Sequence, residues 1–138
     1  MTVTGPVKVL VKCPNCSKSL MNSQIQVDDL PSIELQAKVG KKIGHIYLSQ
    51  IYGSYGKLFE NVDDIPGSVA EFSCPHCHNP FPVHQICDCK APMIGFHLEL
   101  GGIIKICTRN GCKNHSVEFE NVNDAFLLFQ SQSKSGLD

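Results

Sequence analysis

Cys13-Pro14-Asn15-Cys16-Ser17-Lys18-Ser19-Leu20 and Cys74-Pro75-His76-Cys77-His78-Asn79-Pro80-Phe81 are two copies of one pattern: C-P-x-C, then an apolar residue four positions on. Each copy is entered from a largely apolar run, Val9-Leu10-Val11 in the first and Val69-Ala70-Glu71-Phe72 in the second. Two cysteines so spaced, on a tight turn after a strand, can converge on one tetrahedral ion at about 2.3 Å. Two such turns facing each other complete one four-thiolate site. The repeat therefore predicts a fold stapled by metal.

The other four cysteines read Cys87-Asp88-Cys89 and Cys107-Thr108-Arg109-Asn110-Gly111-Cys112. Their spacings are less typical, but the 17 residues between Cys89 and Cys107 match the usual ribbon interval. A second four-thiolate site is expected. The metal ligands are then Cys13, Cys16, Cys74, Cys77, Cys87, Cys89, Cys107 and Cys112, holding two zinc ions per chain. The C-P-x-C repeat favours Cys13/Cys16 with Cys74/Cys77, which leaves Cys87/Cys89 with Cys107/Cys112; a cross-braced grouping is the alternative. Rubredoxin-like iron and disulfides are the competing chemistries, and the C-x-x-C-x-x-C run of many iron–sulfur clusters is absent from the sequence.

With 138 residues and 42% apolar content, the chain has material for a modest core, which metal sites would supplement. A formal charge of −1 gives no global attraction to nucleic acid or anionic membranes. No stretch reaches the roughly 18 apolar residues of a membrane span. Met1 to Pro6 has neither the charged head nor the apolar core of a signal peptide, so the expected location is a reducing cytoplasm, where cysteines favour metal over disulfides.

Along the chain, residues 7–12 read as a strand leading into the first cysteine turn. The 57 residues between Cys16 and Cys74 exceed any plain ribbon loop and must hold structure of their own. Ile33, Leu35, Ala37 and Val39 alternate with Glu34, Gln36 and Lys38, a half-buried strand, and 43–50 reads as its return partner after Gly40-Lys41-Lys42. Residues 51–67 carry turn chemistry and read as a loop, and 69–72 as a strand. Strands over 93–100 and 103–106 meet at Gly101-Gly102. A last strand over 116–120 leads to a helix from about 123 to 131, with Val122, Ala125, Phe126 and Phe129 facing the core. The expected fold is a small β-rich zinc-stapled one: a first zinc ribbon with an inserted β-hairpin over 1–84, a second zinc ribbon with a short C-terminal helix over 85–130, and a flexible tail over 131–138.

Four-thiolate coordination leaves no open position for water or substrate, so both sites read as structural and no catalytic or cofactor-binding residue is assigned. His76 and His78 flank Cys77 and would point away from the ion; His115 has the best spacing for a reserve ligand. Gly53-Ser54-Tyr55-Gly56-Lys57 fails the phosphate-loop pattern, since Gly53 and Gly56 are too close and Leu58 follows the lysine. Lys41, Lys42, His45, Tyr47, Tyr52 and Tyr55 would form a basic and aromatic face able to stack bases. Glu60, Asp63 and Asp64 lie beside it and favour a protein-binding patch instead. Lys105, Arg109 and Lys113 make a smaller basic group on the other ribbon.

By Cys13-Pro14-Asn15-Cys16 and Cys74-Pro75-His76-Cys77 the chain resembles the zinc-ribbon proteins. From Cys89 through Ala91-Pro92-Met93, Gly101-Gly102, Ile106-Cys107 and Gly111-Cys112-Lys113-Asn114-His115 to Glu118-Phe119-Glu120 it looks like the tail of small prokaryotic zinc-ribbon proteins. In size and cysteine layout it is similar to the small zinc-binding subunits of the acetone and acetophenone carboxylases. That last resemblance implies a structural, assembly-type role within a large ATP-dependent enzyme. The expected function is a non-catalytic zinc-binding accessory subunit docking on larger subunits of a cytoplasmic complex; the alternative is a nucleic-acid-binding zinc ribbon in transcription or RNA handling.

Overall fold

The computed structural model describes residues 8–118 except 53, 55, 100 and 113, with the backbone alone over 115–118. Ten strands follow in order: β1 (Val11–Lys12), β2 (Met21–Val27), β3 (Leu30–Val39), β4 (Lys42–Leu48), β5 (Lys57–Glu60), β6 (Glu71–Ser73), β7 (Val83–Ile86), β8 (Pro92–Leu98), β9 (Ile103–Cys107) and β10 (His115–Glu118). β3 forms because its alternation suits a sheet with one covered face: Ile33, Leu35, Ala37 and Val39 are buried while Lys38 is exposed. Gly40, at φ +61°, then permits the two-residue turn into β4, where a side chain would strain the left-handed backbone.

The strands make two five-stranded antiparallel sheets of the same plan. In the first, β4 runs along one edge of the long β3, with Gln36 opposite His45, while β2 and β6 share the other edge. In the second, β9 runs along β8, with His97 opposite Ile103, while β7 and β1 share the other edge. β5 and β10 extend the sheets beyond β4 and β9. The chain is thus a duplication of a five-strand unit whose first strands are exchanged. β1 pairs in the second sheet and β6 in the first.

Hydrogen bonds repeat across the duplication at an offset of 61 residues. Cys13 N donates to Lys18 O and Cys74 N to Asn79 O; Leu20 N donates to Val11 O and Phe81 N to Phe72 O. Beyond the central hairpins the offset becomes 58, because the second hairpin is three residues shorter: Val9 N donates to Gln50 O and Ala70 N to Thr108 O. The main core draws matched pairs from the two units, Leu20 and Phe81, Ile33 and Ile94, Leu35 and Phe96. Phe81 meets Phe96 edge-on, with ring centroids 4.8 Å apart.

The described strands differ from the sequence reading in three respects. The loop expected over 51–67 contains β5, which pairs with β4 from His45 opposite Glu60 to Leu48 opposite Lys57; a four-residue strand between glycine-rich segments shows too little alternation to be recognised. β2 and β7 are edge strands, β2 with only Val27 buried and β7 with all four residues exposed, so they lack the apolar period by which strands are read. The boundary at 84/85 falls within β7. The helix expected over 123–131 and the tail over 131–138 lie outside the described residues.

Candidate metal centres

The first centre forms where the two exchanged strands end. β1 delivers Cys13 and β6 delivers Cys74, both fully buried, and after each strand the backbone turns sharply before crossing to the other sheet. Ser17 N donates to Cys13 O and His78 N to Cys74 O, both at 2.9 Å, closing the two turns. Ser17 and His78 take φ of 65° and 63°, so the matched turns share the same left-handed residue. Asn15 N and His76 N point at Cys13 Sγ and Cys74 Sγ, each at 3.3 Å, as amides do around a thiolate ligand. Across the pair, Cys13 Sγ lies 3.8 Å from Cys77 Sγ, and Cys16 Sγ 3.8 Å from Cys74 Sγ. A tetrahedron with metal–sulfur bonds of about 2.3 Å has sulfur edges of about 3.8 Å, so the four thiols are spaced to hold one ion.

The second centre lies at the far end of the second sheet. Cys87 and Cys89 come from the turn between β7 and β8, Cys107 closes β9, and Cys112 follows on the way to β10. Cys87 Sγ is 3.8 Å from Cys112 Sγ, and Cys89 Sγ 3.4 Å from Cys107 Sγ. In both groups all sulfurs lie within 4.8 Å of one another. The grouping is the one the C-P-x-C repeat favours, not the cross-braced alternative.

Neighbouring donors make the thiols of each group unequal. Burial pushes Cys13 up to about 12, and Cys74 is raised for the same reason. The backbone amide of Asn79 brings Cys77 down to about 7. In the second group burial holds Cys107 at about 12, whereas the Ala91 amide and then Arg109 bring Cys89 down to about 6. Asn114 Nδ2 donates to Cys87 Sγ at 3.0 Å and is the first cause of that thiol's lowered pKa. Arg109 also ties the loops together, donating to Gly67 O at 2.8 Å and to Cys89 O at 3.2 Å. Asn114 carried no spacing signal in the sequence; only the fold brings it to Cys87.

The remaining residues singled out in the sequence are dispersed. His76 Nε2 donates to Ser19 O, and His78 Nδ1 shares a hydrogen bond with Gln36 Oε1, so both rings turn away from the thiols. His115 opens β10, and its side chain lies outside the described residues. Tyr47 is buried with its hydroxyl 3.4 Å from Glu60 Oε1, and burial raises its pKa to about 12. His45 sits between Glu34 and Glu60 at 3.6 and 3.5 Å, and Lys42 Nζ lies 3.1 Å from Asp63. Three members of the expected basic and aromatic face are therefore engaged by carboxylates. No helix among the described residues is long and apolar enough to cross a membrane. No family model, no curated protein and no solved structure matches the chain.

Proposed function

We propose that the chain binds two zinc ions and serves as a non-catalytic accessory subunit that docks on a larger multi-subunit enzyme complex. The observation that carries this reading is the closed geometry of both thiol groups. Four sulfurs spaced as the edges of one tetrahedron would satisfy a zinc ion completely and leave no position for a substrate. Such an ion stabilises the fold and does no chemistry of its own.

The docking half of the reading rests on β7. All four of its residues are exposed, including Val83 at 58% and Ile86 at 62%. One edge of β7 pairs with β8, and the other pairs with no strand among the described residues. An apolar edge strand of this kind accepts a strand from a partner by backbone pairing. The resemblance in size and cysteine layout to the small zinc-binding subunits of the acetone and acetophenone carboxylases makes a carboxylase-type assembly the first complex to examine.

The test is a mild pull-down from the native source with metal analysis of the eluate, run beside a Val83→Lys/Ile86→Lys variant. Two zinc ions per chain with a stoichiometric large enzyme, retained by the native chain and lost by the variant, is the expected result. A monomeric chain without a partner, or one that retains nucleic acid in a salt-sensitive manner, overturns it.

A further inference from the structure

Carrying the second metal centre through the duplication onto the first unit leads to Val27, Asp28, Ser49 and Ser54. The offset of 58 that matches β9 to β4 and β10 to β5 places Ser49 at the position of Cys107 and Ser54 at that of Cys112. The offset of 61 places Asp28 at the position of Cys89 and Pro31 at that of Pro92. Val27 pairs with Leu30 to close the first turn, as Cys87 N pairs with Ala91 O to close the second. Val27 thus stands for Cys87 in a turn one residue shorter.

The surroundings match as well. Gln50 Nε2 donates to Pro31 O at 2.9 Å, as Thr108 Oγ1 donates to Pro92 O at 2.8 Å. Gly56 occupies the position of Asn114, the residue that touches Cys87. A Cβ there would lie 3.0 Å from Val27 Cγ1 and 3.3 Å from Asp28 Oδ1. Where the second unit gathers thiols, the first gathers oxygens: Ser49 Oγ and Ser54 Oγ both donate to Asp28 Oδ2 at 2.6 Å.

We propose that this clasp is the counterpart of the second metal centre held in hydrogen-bonded form, and that it acquires the capacity for a thiophilic divalent ion once thiolates are placed at its four positions. The carboxylate oxygen does the ion's structural work, joining the β2–β3 turn to the loop after β4 through two short charge-assisted hydrogen bonds. Val27 removes the fourth donor, and one carboxylate with two hydroxyls is a poor set for zinc. The unit therefore keeps the connection without metal, while its twin needs four thiolates for it.

This inference rests on the two native thiol groups binding metal, so the native chain is the reference. The full-length variant V27C/D28C/S49C/S54C is purified under reductant, loaded with cobalt(II), and its metal content and thiolate charge-transfer band compared with those of the native chain. Three ions against two in the native chain is the expected result. Two ions in both overturns the proposal; fewer than two in the native chain overturns the metal reading itself. Should the four substitutions prevent folding, Asp28→Asn in the native chain decides. Metal content is expected to stay unchanged while amide exchange at Ser49, Ile51 and Gly56 accelerates about tenfold. Exchange at native rates there overturns the clasp.

Discussion

Asn114 contributes a single N–H to Cys87 Sγ, and that bond both draws charge from the sulfur and aims it at the other three. Asn114→Ala is expected to weaken metal binding at the second centre by about tenfold, leaving the first unchanged. Competition titration with a chromophoric chelator separates the two affinities; equal weakening of both would show that the residue acts only through the general fold. At the first centre the burial of Cys13 and Cys74 has a measurable consequence in pH. Both thiols are raised above their ordinary value of 9.0, so both are protonated at neutral pH in the metal-free chain. An ion must displace those two protons, and protons compete more strongly as pH falls. Apparent affinity at that centre is therefore expected to rise with pH by at least about a hundredfold per unit near neutrality, and by more while Cys77, brought down to about 7, still carries its proton. A slope near tenfold, read from titrations at pH 6 and 7, would mean that one of these thiols is already ionised.

At the scale of the element, β4 shows how closely the first sheet is built. Gly44 stands opposite Ala37 on β3 and beside the backbone that leaves β5. A Cβ at that position would meet Glu60 O, with Asn61 Cβ only 2.9 Å away. The obstacle is backbone and cannot rotate aside, so Gly44→Ala must push β5 off β4. A loss of at least about 2 kcal/mol is expected from urea unfolding of the metal-loaded chain. A variant as stable as the parent would mean that β5 is free to shift. β5 itself was hidden in the sequence, because its four residues carry too little alternation to be read as a strand.

For the whole molecule, exchange of β1 and β6 makes each cysteine turn a bridge between sheets. Removing one turn strips an edge strand from both sheets at once. Cys74→Ser is therefore expected to cost the first centre its ion and to collapse the amide dispersion of β3 and β8 together, since metal binding and folding are coupled in small domains of this kind. Persistence of native β8–β9 shifts beside a disordered β3 would show that the sheets fold independently. The second centre lacks this bridging role, because all four of its cysteines lie on the second unit.

The cysteine pairs and the β3–β4 hairpin were legible in the sequence because each depends on local spacing, a turn setting which two thiols point together and period-two alternation which face is buried; the grouping of pairs 58 to 64 residues apart was legible only through the C-P-x-C repeat. The second hairpin at Gly101-Gly102 was legible for the same reason. Exchange of β1 and β6, the strands β2, β5 and β7, the donor role of Asn114 and the Asp28 clasp were decided by tertiary structure. Edge strands take their conformation from a neighbour's unpaired backbone rather than from their own apolar pattern. Partners such as Asp28 with Ser49 and Ser54, or Asn114 with Cys87, are 21 to 27 residues apart and meet only after the sheets have formed.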